Sequence, residues 1–356
     1  MAEIKSVQRG TTVILTSGTT ATATITAVDT TKAYLIFSNR VNSGATDESA
    51  LSATSGYISS TTQISFARGT SGGTTDDTIS WMVVEYHSGV SVQRGVLTSL
   101  NASTSPTSVT LTAVTVSRSW AIMRISSDAS WNYGGDQLAT SEITSSTNLN
   151  IVSESPSDPE GFWRWEVVDH SDASVQKVTG TQASPTLTTS ATITAVNMAK
   201  TFIVGTLSRS TAVMDMVYGV NWLLYNTTTI RLIRTNGFSD NSYVIYAVSL
   251  SKNVSVQRGE TTNTGSTTFT QNISAINLNT SYIQLLGPNN HIARATASGT
   301  SDVLANKIEA KFNSATQINF QRDYAAADTY SSMSWEVIDL NADSILNISI
   351  NWIPRI

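Results

Sequence analysis

The side chains best able to do chemistry are few. There are three histidines, His87, His170 and His291, and no cysteine, so neither a disulfide nor a thiolate metal site is available. His87 and His170 each sit four residues before a recurring Ser-Val-Gln segment, at Ser91 and Ser174. A repeated imidazole there would suit a metal ligand or a pH switch. Ser251 and Leu340 hold that place in the other two copies, so the position reads first as a polar residue in a hairpin turn.

Carboxylates recur as Glu85, Asp169 and Asp339, each closing a Trp-containing strand. A glycosidase needs two carboxylates about 5–10 Å apart. These lie in different copies of a repeat, which favours solvated strand ends or partners for nearby arginines. Two acidic clusters, Asp76-Asp77 and Glu154, Asp158 and Glu160, lack the spacing of a calcium-binding EF-hand and read as stiff polar loops. The sequence holds no phosphate-binding loop, dinucleotide fingerprint or zinc-protease helix, and Gly69-Thr70-Ser71-Gly72-Gly73 reads as a turn cluster. No catalytic residue, cofactor or metal is expected. The most distinctive polar motif is Gln-Arg-Gly. Its cations, Arg9, Arg94 and Arg258, with Lys177 in the third copy, would either dock a carboxylate across a repeat boundary or on a neighbouring subunit, or end an exposed strand before a turn glycine.

These residues are placed by an internal repeat. Ser6-Val7-Gln8-Arg9-Gly10 returns as Ser91–Gly95, as Ser174-Val175-Gln176-Lys177 and as Ser255–Gly259, at intervals of 91−6 = 85, 174−91 = 83 and 255−174 = 81. Three further markers keep the same order. Ile25-Thr26-Ala27-Val28 recurs at Leu111, Ile193 and Ile273. Ile64-x-Phe66-x-Arg68 recurs at Ile230 and Ile318 and, as Leu149-x-Ile151-x-Ser153, in the second copy. Trp81-Met82-Val83-Val84-Glu85 recurs at Trp165 and Trp335, with Tyr246 read in place of the Trp in the third. The indole at a fixed strand position is expected to fill a core.

Within each copy, short runs alternate with period two and are separated by Gly, Ser and Thr turn clusters. This predicts an all-β chain of four tandem antiparallel β-sandwich-like repeats of about 82 residues, with six or seven strands each. The boundaries are 1–90, 91–173, 174–254 and 255–356. A short turn joins each Trp strand to the next Ser-Val-Gln, which leaves open the alternative that this strand completes the preceding sandwich. Ser344–Ile350, where a fifth Ser-Val-Gln would fall, reads as a strand capping the array.

Bulk properties narrow the partners. Charged residues are 13% of the chain and the net charge of −5 is not gathered in blocks, which argues against nucleic acid and acidic membranes. No apolar run approaches the roughly 20 residues of a spanning helix. The start lacks a signal-peptide core, so synthesis in a cytoplasm is expected.

The Ser/Thr-rich strands, Ser-Val-Gln-Arg-Gly repeats and Trp-x-Val-Val-(Glu/Asp) strands resemble virion structural proteins of tailed bacteriophages, such as head-decoration, tail and fibre components built from tandem β-sandwiches. The resemblance implies assembly in the bacterial host cytoplasm, residence in the virion, and contacts with other virion proteins and sister subunits. A looser similarity is to H-type lectin-like sandwiches, which carry a Trp on a closing strand. It implies a surface glycan as partner, with Trp131 and Tyr133, in a loop peculiar to the second copy, as candidate contacts.

Overall fold

The computed structural model describes residues 1–42, 53–69, 76–100, 105–127, 138–154, 160–210, 220–234, 239–264, 266–287, 307–322 and 330–341. The fold is all-β, with the same six-strand pattern four times over. The first unit has β1 (Glu3–Ile14), β2 (Thr20–Thr24), β3 (Ala33–Asn42), β4 (Thr54–Ser60), β5 (Gln63–Arg68) and β6 (Asp76–Ser88). The second has β7 (Val90–Ser99), β8 (Thr107–Thr110), β9 (Ser119–Ser127), β10 (Thr140–Ser145), β11 (Asn148–Val152) and β12 (Glu160–His170). The third has β13 (Ala173–Gln182), β14 (Thr188–Thr192), β15 (Thr201–Arg209), β16 (Val220–Asn226), β17 (Thr229–Arg234) and β18 (Asn241–Leu250). The fourth has β19 (Ser255–Thr264), β20 (Thr268–Asn272), β21 (Ser281–Leu285), β22 (Glu309–Ser314), β23 (Gln317–Gln321) and β24 (Tyr330–Asp339).

Each unit is two antiparallel three-stranded sheets. The long sheet runs first–sixth–third strand and the short sheet second–fifth–fourth. Their inner faces meet in one core. In the first unit Ile79, Trp81, Val83, Leu35 and Phe37 of the long sheet pack on Ile58, Ile64 and Phe66 of the short one. Phe37 meets Phe66 edge-on at 5.3 Å. The outer face of the short sheet is Thr- and Ser-rich, and Thr20–Thr24 alternates exposed and half-buried residues as one-sided burial requires.

The Ser-Val-Gln strand does not complete the preceding sandwich. It pairs with the Trp strand at the far end of its own unit, as in Val92 opposite Val168 and Val256 opposite Ile338. Register also corrects two alignments. Glu85, Asp169, Ser249 and Asp339 are equivalent, facing Ser6, Ser91, Ser174 and Ser255. The third unit therefore has Ile245 at the Trp position, and Tyr246 stands where Met82, Glu166 and Glu336 stand. The counterpart of His170 is Tyr86, not His87, because the first unit has a longer link to the next strand.

The four units form a closed ring. The fourth strand of each lies against the long sheet of the next: β4 on β9 and β12, β10 on β15 and β18, β16 on β24, and β22 on β3 and β6. The same strand position hydrogen-bonds across three of these junctions. Ser141 N donates to Thr206 Oγ1 at 2.9 Å, Trp222 N to the Leu286 carbonyl at 3.4 Å, and Ala310 N to Ser38 Oγ at 2.9 Å. The last of these joins the fourth unit to the first. The fourth unit thus has neighbours on both sides, and the linear array expected from the sequence is corrected to a ring. Ser344–Ile350 lies outside the described residues.

Candidate functional site

At the centre of the ring, equivalent residues of the four third strands meet. Tyr34 contacts Trp120 (6.4 Å between ring centroids), Trp120 contacts Phe202 (5.7 Å), Phe202 contacts Tyr282 (6.4 Å) and Tyr282 contacts Tyr34 (6.2 Å). All four pairs are edge-to-face, the arrangement the ring quadrupoles favour. Complete burial pushes the hydroxyls of Tyr34 and Tyr282 well above the usual tyrosine range. Next to this aromatic cycle lies a tier formed by Tyr86, His170, Leu250 and Leu340, again one residue from each unit. His170 meets Tyr86 edge-on at 5.2 Å and lies 6.1 Å from Trp120. Its Nδ1 accepts from the Asp172 amide at 3.2 Å. Burial lowers its pKa to about 4, so the imidazole is neutral near pH 7.

This tier lines a cavity of about 530 Å³ that opens at one end of the ring. Met1–Ile4 lie along its wall, and the Ala2 amide donates to Asp172 Oδ2 at 2.9 Å. Asn341 also lines it, so the start and the last described residue of the chain come to the same place.

The Gln-Arg-Gly cations lie at the junctions. The Arg94 guanidinium donates to the Thr30 and Ala33 carbonyls of the first unit while its Nε holds Glu166 at 3.0 Å. Glu166 in turn accepts from Leu35 N of the first unit at 3.2 Å. The junction between third and fourth units repeats this. Arg258 donates to the Thr201 carbonyl and to Glu336 at 3.1 Å, and Glu336 accepts from Ile203 N at 3.0 Å. Burial raises the pKa of Glu336 against these stabilising partners. Arg9 donates to the Ser281 carbonyl at 3.2 Å, and Met82 stands where the carboxylate would be, its sulfur 3.5 Å from Ile283 N. Lys177 alone meets a carboxylate across its boundary, Glu142 at 2.6 Å, and Tyr246 Oη accepts from Ile143 N at 2.9 Å.

The other motif residues bind within units. Each repeated Gln holds the Ile-Thr-Ala-Val segment by two bonds. Gln93 Nε2 donates to the Thr112 carbonyl at 2.8 Å and Gln93 Oε1 accepts from Thr112 N at 2.7 Å. Gln8 with Thr26, Gln176 with Thr194 and Gln257 with Ser274 repeat the pair. The motif glycine is mid-strand rather than a turn residue. A Cβ on Gly10, Gly95 or Gly259 would fall 2.4, 2.5 or 2.6 Å from the indole Cζ2 of Trp81, Trp165 or Trp335.

The strand-end carboxylates are buried, not solvated. Glu85 accepts from Asp29 N at 2.7 Å, Asp169 from Thr115 N at 2.6 Å and Asp339 from Asn277 N at 2.9 Å. Each therefore fixes the turn before its unit's third strand. Among the expected arginine partners, Arg118 meets Asp169 at 2.6 Å. The arginines of the Ile-x-Phe-x-Arg marker clip the loop ahead of the second strand: Arg68 to the Leu15 and Gly18 carbonyls, Arg234 to Ala183 and Thr186.

His87 is exposed. Asp76 Oδ1 accepts from Thr16 N at 2.8 Å, Asp77 is buried against Asn39 and Thr54, and Glu154 accepts from Ser242 Oγ. His291, Trp131, Tyr133 and Asp158 lie outside the described residues. Among the described residues, no three His, Asp or Glu side chains are grouped to hold a metal ion, and no helix is long and apolar enough to cross a membrane. A scan of family models and a search of curated proteins return no match to the chain.

Proposed function

We propose that the chain is a non-enzymatic structural protein of a tailed-phage virion, a head-decoration or tail component that works as one rigid, ring-shaped building block. The observation that carries this reading is the use made of the polar motif. Arg9, Arg94, Lys177 and Arg258 are all engaged at the junctions, and the carboxylates Glu85, Asp169 and Asp339 are each tied into a turn of their own unit. Side chains held this way serve cohesion. The Thr/Ser-rich outer sheets of four similar units remain as faces for other virion proteins or sister subunits.

The cavity at the end of the ring is the observation that favours a second reading, a glycan-binding adhesin of the same particle, since concave sites with a few polar groups suit small ligands. Copy number separates the two. Quantitative mass spectrometry of purified particles, normalised to the major coat protein, is expected to find the chain in amounts comparable with the coat. A handful of copies per particle would favour the adhesin, and absence from particles would overturn both.

A further inference from the structure

A second cavity, of about 210 Å³, lies at the junction of the first and second units. Its walls bring together Arg94, Arg124 and Arg164 with one carboxylate, Glu166. Arg124 and Arg164 are direct cross-strand partners on β9 and β12. Like charges directly opposite on a sheet repel, and the cost rises when water is excluded. Arg124 is 6% exposed, its Nε has no hydrogen-bond partner, and its Nη1 donates to its neighbour's carbonyl, Met123 O, at 2.9 Å. Arg164 lies 3.8 Å over the Tyr57 ring and reaches Ser55 Oγ at 3.3 Å. Among the described residues neither has an acidic partner within ion-pair distance. Glu166 lies close enough to act electrostatically on Arg124, but its oxygens are taken by Arg94 and Leu35 N.

The other three junctions lack this charge. The Arg124 position is Ser38, Thr206 or Leu286, and the Arg164 position is Ser80, Val244 or Ser334, as the strand registers place them. The cohesion of the ring is therefore achieved elsewhere without paired arginines, and their presence at one junction calls for a separate reason.

We propose that this cavity is a binding site for a small oxyanion, the carboxylate of a sugar acid or a phosphate group, held between Arg124 and Arg164 with Tyr57 as an aromatic wall. Guanidinium groups present fork-shaped donors that match both oxyanions. Arg124 borders the cavity with its guanidinium 5.6 Å over the Phe37 ring, and its Nε is buried without a hydrogen-bond partner. The volume admits a monosaccharide-sized body and not a folded partner. The site is distinct from the assembly faces and stands or falls apart from the virion reading.

Isothermal titration of the full chain at constant ionic strength tests this, with galacturonate and inorganic phosphate as probes and galactose as the neutral control. The expected result is one site per chain for at least one anion, with affinity falling roughly tenfold or more in Arg164→Gln. Arg231→Gln, which removes an equal charge from a half-buried arginine stacked on the exposed Tyr225 of the third unit, is expected to leave the affinity within about twofold. Binding of galacturonate assigns a sugar acid, and binding of phosphate alone assigns the free anion. Arg124→Gln, checked by its melting curve, gives a second reading of the same site. No heat with either anion, equal loss in Arg231→Gln, or galactose binding as tightly as galacturonate would overturn the proposal.

Discussion

Gly10 and Trp81 face each other across β1 and β6, and the indole occupies the space a Cβ on Gly10 would need. The pairing recurs as Gly95 with Trp165 and Gly259 with Trp335. The third unit loses both members together and has Val178 opposite Ile245. One volume is thus divided in two ways, as close packing demands.

This relationship predicts a rescue. Gly95→Val alone is expected to cost about 1–3 kcal/mol by overpacking, and Trp165→Ile alone about 3 kcal/mol through the cavity left behind. The double variant should be more stable than the sum by at least about 1 kcal/mol. A double-mutant cycle by denaturant unfolding checks it, and strict additivity would refute the exchange.

The Gln93–Thr112 pair predicts a smaller effect. Gln93→Ala removes two hydrogen bonds that are open to water, so the loss should be about 1–2 kcal/mol. Urea unfolding should show a lower midpoint with an unchanged slope, because the surface exposed on unfolding stays the same.

Acid should weaken the ring through His170. Its pKa is about 4 in the folded chain and about 6.5 when unfolded, so the unfolded state binds more protons between those values. Stability contributed by the neutral imidazole is complete above about pH 6.5 and is lost as the pH falls towards 4, up to about 3 kcal/mol. Asp172, Asp169 and Arg118 act on the same imidazole. Asp77, raised to about 6 by burial, works in the opposite sense, so the informative quantity is a difference between two proteins. His170→Leu copies the residue of the third and fourth units. Its stability relative to the parent should improve on going from pH 7 to pH 4.5, as measured by thermal melts.

The aromatic cycle predicts cooperativity. Tyr34→Ala is expected to cost about 3–5 kcal/mol and to lower one calorimetric transition as a whole, since each ring supports units on both sides. Separate transitions in the parent chain would contradict a ring that folds as one body.

The strands and their fourfold recurrence were legible because period-two alternation and the Ser-Val-Gln, Ile-Thr-Ala-Val and Ile-x-Phe-x-Arg markers survive divergence. The ring was not. Its central position is Tyr34, Trp120, Phe202 and Tyr282, four residues that share bulk but not type, inside runs that read as ordinary strands. Counting from Ser-Val-Gln placed His87 beside His170, whereas Tyr86 is the true counterpart, because spacing ignores a link that differs in length. The simultaneous loss of Gly and Trp in the third unit was visible, yet reading Tyr246 as the Trp position hid it. The buried state of Glu85, Asp169 and Asp339 left no local trace, since a carboxylate ending a strand looks the same whether it meets water or a turn's amide. Trp131 and Tyr133 remain a sequence expectation.

Covalent linkage of the four units gives this ring a freedom that a ring of identical subunits lacks. In a symmetric homotetramer every substitution appears at all four junctions, and a repulsive pair such as Arg124 and Arg164 would be imposed four times over. Here each junction has its own alleles. Glu166 and Glu336 keep a charged contact where Met82 and Tyr246 replace it, and a specialised feature can arise at one quarter while the remaining three preserve the scaffold.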